Sequence, residues 1–201
     1  MAAALLQLFV LTAVAGEAEF SQAETLLWMT DQLKMIEQPL QLNYAFERTG
    51  TFEPGFSDKV TFTIRAVKDD GTKAASVEMN RLTDPDGKSR ERWRYFQRRI
   101  KFAMADAASV ENVTVNFNGE ALPAVRVSFS PYANDPKRAL FEEFADKSYR
   151  IVVSDKIPGY IYSIETVIPG SGPDDLPLIR EFLQLVSVEP GTAAHSAALT
   201  K

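Results

Sequence analysis

Apolar residues recur at two different periods along this chain, and the switches between them mark its elements. Leu26, Met29, Leu33 and Ile36 fall at helical spacing. Ser21-Gln22-Ala23-Glu24 precedes them as a capping box, in which the Ser hydroxyl and the Glu carboxylate each accept the other's free backbone N–H. Pro39 ends this predicted first helix. From Leu40 the period becomes two. Leu40, Leu42, Tyr44 and Phe46 alternate with polar residues, and so do Val60, Phe62, Ile64 and Ala66. A turn at Glu53-Pro54-Gly55-Phe56 separates these strands, and Asp69-Asp70-Gly71 closes a hairpin onto a short strand through Ala75, Val77 and Met79.

After a break at Asp84-Pro85-Asp86-Gly87 the helical period returns. Trp93, Phe96, Ile100 and Ala103 mark the buried stripe of a second helix, roughly 89–107. Strands resume with Val113, Val115 and Phe117, the tight-turn pair Asn118-Gly119, and Val125, Val127 and Phe129. Asp135-Pro136 reads as an N-cap with Pro at the first helical position. It opens a short helix holding Leu140, Phe141 and Phe144.

The stretch from Ser148 to Pro169 is the most strand-like of all. Tyr149, Ile151 and Val153 share one face of its first strand. Tyr160, Tyr162, Ile164, Thr166 and Ile168 share a face of the second. Pro158-Gly159 between them fits a type II turn, Pro fixing the first corner and Gly taking the positive φ of the next. A last strand runs from Leu178 to Val188, and residues 189–201 are small and polar, expected to be disordered.

Hairpin joints make neighbouring strands antiparallel. Each early strand has one apolar face, and each long helix one apolar stripe. The pattern therefore predicts an α+β domain over 20–188: a single curved antiparallel β-sheet, or a partly open barrel, covered by two main helices. A two-sheet β-sandwich with marginal helices is the alternative.

Composition refines the address. The 201 residues are 45% hydrophobic and 24% charged, as expected of one globular domain. A net charge of −5 argues against general nucleic-acid binding. Cysteine is absent, which excludes disulfides, thiolate zinc sites, Cys nucleophiles and a lipidated N-terminus. Ala2 to Val14 is apolar except for Gln7 and Thr12, and small residues follow, so 1–18 reads as a secretory signal peptide cleaved after Ala15 or Ala18. The run is shorter than the roughly 20 residues a span requires, so no transmembrane segment is expected in the mature protein. The expected location is periplasmic or secreted.

Catalytic motifs are missing. The sequence has no dinucleotide or phosphate-binding glycine loop, no His-Glu-x-x-His and no Gly-x-Ser-x-Gly. Its single histidine, His195, lies in the polar tail. The adjacent acids Asp69/Asp70, Glu142/Glu143 and Asp174/Asp175 read as solvated surface. The expectation is a non-enzymatic protein with no cofactor and no metal site. One unusual feature is the basic second helix. Arg90, Arg94, Arg98 and Lys101 form a stripe along it, either a patch for anionic headgroups or an acidic partner, or a face matched to the acidic remainder of the chain. The 13 Phe, 6 Tyr and 2 Trp are enough both to fill a core and to line an apolar cleft.

Leu42-Asn43-Tyr44-Ala45-Phe46-Glu47-Arg48-Thr49-Gly50 with Gly55-Phe56-Ser57-Asp58-Lys59-Val60 resembles the opening of an uncharacterised family of exported bacterial proteins. Tyr95 to Ile100, Ser130 to Pro136, Phe144 to Tyr149 and Ser154-Asp155 through Pro158-Gly159-Tyr160 resemble the same family, over about Leu40 to Val188. The resemblance implies export and carries over no functional residue. The region between Met79 and Trp93 is short against that pattern. A leader, one helix and a hairpin meander also resemble, in architecture alone, the periplasmic lipoprotein carriers. Two functions follow as expectations. One is a carrier or chaperone for a lipid or other apolar or amphiphilic ligand. The other is an accessory module that binds an envelope protein through the basic helix or a sheet edge.

Overall fold

The computed structural model describes residues 20–52, 54–68, 70–78, 103 and 106–191. Their body is one eight-stranded antiparallel sheet. The strands are β1 (Leu40–Thr49), β2 (Phe56–Val67), β3 (Lys73–Glu78), β4 (Ser109–Phe117), β5 (Glu120–Phe129), β6 (Ser148–Val153), β7 (Ile161–Ile168) and β8 (Ile179–Pro190). Their order across the sheet is β3-β2-β1-β8-β7-β6-β5-β4. The last strand thus inserts beside the first, and β3 and β4 form the two edges. β8 runs two residues beyond the expected end at Val188.

The predicted cover of two main helices is not what forms. Among the described residues the first helix, α1, is only Gln22–Glu24, followed by a π-helical turn at Thr25–Met29. The capping box is present: Ser21 Oγ accepts from the Glu24 N–H, and Glu24 Oε2 accepts from the Ser21 N–H. What stops the helix is the competition of polar side chains for its last carbonyls. The Thr30 hydroxyl donates to the Thr25 carbonyl and the Gln32 amide donates to that of Leu27, while Thr30 itself turns extended. Asp31 then accepts from the Leu33 N–H and bends the chain. The apolar stripe is split: Ile36 is buried and Leu26 and Leu33 are half-buried, whereas Met29 is exposed and Leu27, off the stripe, is buried instead. The second predicted helix, with its stripe Arg90, Arg94, Arg98 and Lys101, lies outside the described residues, apart from Ala103, Asp106 and Ala107 at its end. The α+β architecture with two covering helices, and the alternative sandwich, are therefore corrected to a single sheet with one short helix among the described residues. The connection after β5 forms two 3-10 turns, Arg138–Leu140 and Glu142–Asp146.

Register assigns the faces. We call the face carrying Leu42, Tyr44 and Phe46 the inner one. One row across it pairs Val125 with Val153 on β5 and β6, and Leu185 with Tyr44 and Val60 on β8, β1 and β2. The next row runs Val127, Ile151, Ile164, Leu183, Phe46 and Asp58. The third runs Phe129, Tyr149, Thr166, Glu181, Arg48 and Phe56. Bulges between Val152 and Val153 on β6 and between Asn43 and Tyr44 on β1 offset these ladders, so Ile161, not Tyr160 or Tyr162, lies opposite Val153.

Two apolar clusters cover the inner face. The first gathers Ile36, Leu42, Tyr44, Phe46, Val60, Ile64 and Leu185 with Ile157, and continues to Val115 and Ala124, which alternate with the inner-face residues of β4 and β5. The second packs Ala23, Leu27 and Ala103 on Val127, Phe129, Tyr149 and Val153. The β6–β7 connection plugs one end of this face. Its turn is the type II turn the Pro-Gly pair predicts: the Tyr160 N–H donates to the Ile157 carbonyl at 2.9 Å, and Gly159 has φ 81°. Gly159 rests on Leu42, so close that a Cβ would sit 2.3 Å from Leu42 Cδ1. The opposite end carries the connections 50–55, 130–147 and 169–178.

Candidate functional site

At the seam between the two clusters the described residues cover the inner face only in part. Val127, Val153, Leu185 and Tyr44 are all buried. Ile151, Ile164 and Leu183, which continue the row of Val127 beside Val153, Leu185 and Tyr44, are only half-buried although they sit on three central strands. Ile151 packs against the second cluster and Leu183 against the first, with Ile164 between them by register. Central strands covered by a filled core would bury such residues completely.

A polar cluster borders the seam on the side of the three connections. Glu181 is its hub. Arg48 Nε stands 3.7 Å from Glu181 Oε1, Lys147 Nζ stands 3.6 Å from Oε2, and the Thr166 hydroxyl donates to Oε2 at 2.9 Å. Lys147 also lies over the Tyr149 ring, 5.3 Å from its centroid, an arrangement that favours a cation. Burial nevertheless holds the Lys147 ammonium below its ordinary pKa, against the pull of Glu181, and Arg48 lowers it further. Burial pushes the Tyr149 hydroxyl up, helped by Tyr132 and Glu181. Asp58 falls on the same inner face, opposite Phe46. The named charges are two cations and two carboxylates, so the border is polar without a strong net sign.

Exposed apolar side chains stand at this end. Phe52 and Phe144 meet edge to face with centroids 6.2 Å apart, and both are exposed. Leu140 and Leu176 are 76% and 72% exposed, the highest values among the described large apolar residues. The Phe52 N–H donates to the Leu178 carbonyl and the Thr51 N–H to that of Pro177, which holds the 50–55 and 169–178 connections together. At the plugged end the Tyr44 hydroxyl reaches across to the Ile161 carbonyl at 3.1 Å and, by burial, is pushed up to about 12.

The outer face is built differently. Arg150 and Arg180 each donate to one oxygen of Glu165, at 2.9 and 2.7 Å. Burial raises the Glu165 carboxyl, but the hydrogen bonds and charges of Arg180 and Arg150 together outweigh it and hold it below the ordinary value. Arg126, Arg150, Val152, Ser163, Glu165 and Phe182 line a shallow groove of about 380 Å³ there. A smaller cleft of about 200 Å³ lies between Ser21–Ala23 and Asp106–Val110. Among the described residues no group of three or more acids or histidines is placed to hold a metal ion. No helix among them is long and apolar enough to cross a membrane.

No family model and no curated protein matches the chain. Among solved structures, the crystal structure of a LolA superfamily protein from Nitrosomonas europaea aligns over 85% of this chain and 94% of its own, at 8% identity and a TM-score of 0.26. That is a weak architectural likeness, too low to carry an argument about function.

The basic stripe expected to bind, Arg90, Arg94, Arg98 and Lys101, lies outside the described residues. Arg48, Lys147 and Glu181 were not singled out by motif, yet their phase betrays them. Arg48 follows Leu42, Tyr44 and Phe46 at period two, Glu181 falls in step with Ile179 and Leu183, and Lys147 with Tyr149, Ile151 and Val153. A charge on the apolar phase of a strand is a signal that spacing rules for catalytic motifs do not capture.

Proposed function

We propose that this chain is a non-enzymatic carrier of the cell envelope, binding an amphiphilic ligand in the seam of its inner sheet face. The observation that supports this reading is the half-buried row Ile151, Ile164 and Leu183 between two packed clusters, bordered by Arg48, Lys147, Glu181 and Thr166. An apolar chain laid on the row would remove its remaining surface from water, at about 25 cal/mol per Å². The polar border would meet a headgroup without demanding a strongly anionic one. The absence of catalytic motifs in the sequence supports a binding role, and the apolar 1–18 segment supports export.

The test is native mass spectrometry of protein isolated from its own envelope, paired with titration of a fluorescent fatty-acyl probe. Saturable probe binding, lost in Ile164→Asp with the fold intact, is the expected result. A parent that carries no adduct and binds no acyl probe rejects the reading. N-terminal mass analysis tests the location: the mature chain should begin at Gly16 or Glu19, and an intact Met1 in the cytosol would contradict export.

A further inference from the structure

The outer face of the sheet carries a groove that the carrier reading does not use. Register builds it from four strands. Arg126 on β5 lies opposite Val152 on β6, and Val152 opposite Ser163 on β7. In the next row Arg150 lies opposite Glu165, and Glu165 opposite Phe182 on β8. These six residues line the groove of about 380 Å³. That volume falls in the range of sites for small molecules. Two cations and one carboxylate stand in the lining, so it is net positive in a chain of net charge −5.

The carboxylate is spent and the cations are not. The Glu165 side chain is only 14% exposed, and Arg150 and Arg180 each hold one of its oxygens. Arg150 and Arg126 reach outward, with side chains 55% and 42% exposed. They are diagonal neighbours across β5 and β6 on one face, where like charges repel. Their acidic partners do little to offset this. Arg150 shares Glu165 with Arg180, and Glu111 stands 3.4 Å from Arg126 as an exposed, weakly coupled pair. A guanidinium has five N–H donors, and each of these two gives one to a carboxylate. Among the described residues no other acceptor holds either. Glu47, also on the outer face, lies on β1 beyond Phe182.

We propose that this groove binds a small phosphate monoester, its phosphate held between Arg126 and Arg150. Charge complementarity argues for the occupant. Each guanidinium fork matches two oxygens of an oxyanion, and a phosphate has enough oxygens for two forks where a carboxylate has not. The Ser163 hydroxyl supplies a further donor in the lining. Val152 and Phe182 give the organic part of the ester an apolar wall. Glu165 is a positioning residue: by holding one edge of Arg150 it fixes the direction of that guanidinium. The groove lies on the face opposite the seam, so it stands or falls independently of the carrier reading.

Isothermal titration of the full chain with phenyl phosphate tests it, with phenol as the uncharged control. The parent should bind phenyl phosphate saturably at one site and leave phenol unbound. R126Q/R150Q should weaken binding at least about tenfold. K59Q/R65Q removes the same charge from two exposed cations of β2 and should bind like the parent. Acyl-probe affinity should be the same in all three. R150Q opens the clamp on Glu165, so if the double variant does not fold, R126Q alone, which leaves the clamp intact, should still weaken binding severalfold. A parent that does not bind phenyl phosphate overturns the proposal. So does R126Q/R150Q binding like the parent, or K59Q/R65Q weakened as much, because a general field and not the groove would then attract the anion. Binding to phosphatidate vesicles without binding to phenyl phosphate would make the groove a lipid-surface contact and overturn its assignment to a small ligand.

Discussion

Two adjacent rows of the inner face use the same kinds of side chain and reach different states. Val153 on β6 and Leu185 on β8 are buried to 2% exposure or less, while Ile151 and Leu183, one step along the same two strands, and Ile164 on β7 between them remain half-buried. Alternation along a strand decides which face a residue takes. It does not decide what lies above it. The first row is closed by Ile157 in the β6–β7 connection, and within the sheet by the Tyr44 hydroxyl reaching the Ile161 carbonyl. The second is buried where it enters the clusters, at Val127 and Phe46, and only half-buried between them, at Ile151, Ile164 and Leu183. Core and candidate site are thus distinguished by the connections that cover them, not by the strands themselves.

Emptying the closed row should have the largest effect. Leu185→Ala removes a fully buried side chain from the first cluster and should cost about 2–5 kcal/mol in denaturant unfolding, because the surroundings can only partly collapse. A loss below about 1 kcal/mol would mean that this row is not sealed.

The next effect is on pH dependence. Burial raises the Tyr44 hydroxyl to about 12, above its ordinary value near 10. In that window the unfolded chain has lost the proton that the folded chain keeps. The stabilisation is complete below pH 10 and is lost as pH rises through about 12, up to roughly 3 kcal/mol. Tyr149, on the polar border, is shifted the same way by its own burial. Lys147 has the opposite sign: its folded pKa is depressed, so stability rises with pH as its folded form and then its unfolded form deprotonates, below the ordinary 10.5. Thermal melts through this range should show stability falling above pH 10, with Tyr44→Phe flattening the fall. An unchanged slope in Tyr44→Phe would show that its hydroxyl is not held as described.

The plug is the third target. Gly159 has φ 81° and lies against Leu42, itself buried. Gly159→Ala strains the backbone and displaces Leu42, which should cost about 1–3 kcal/mol. A neutral outcome would show that the connection can move off the closed row.

How much of this was legible depended on how local the cause was. The Asn118-Gly119 and Pro158-Gly159 turns, and the alternation through Leu42, Tyr44 and Phe46, are written in neighbouring residues and were read directly. The spacing overstates the first helix. Leu26, Met29, Leu33 and Ile36 keep helical spacing, but Thr30, Asp31 and Gln32 take over the backbone groups that a longer helix would use. The hub of Glu181 with Arg48 and Lys147 joins residues distant in sequence. Register brings Arg48 to Glu181, because β8 inserts beside β1, and nothing local announces that insertion. The partly covered seam depends on where two clusters stop, which no single stretch records.

The smallest expected effect tests the comparison most directly. Leu183→Ala makes the same chemical change as Leu185→Ala, two residues away on the same strand. Leu183 is half-buried, so truncation removes less apolar contact and opens less of a cavity, because one side already faces solvent. The loss in denaturant unfolding should be about 1 kcal/mol, a fraction of that at Leu185. Acyl-probe affinity should show the reverse order: Leu183→Ala weakens it, and Leu185→Ala leaves it near the parent value under conditions where both are folded. Equal stability losses at the two positions would mean that the rows do not differ in cover. Equal probe affinities would mean that the seam, though only partly covered, is not where the ligand lies.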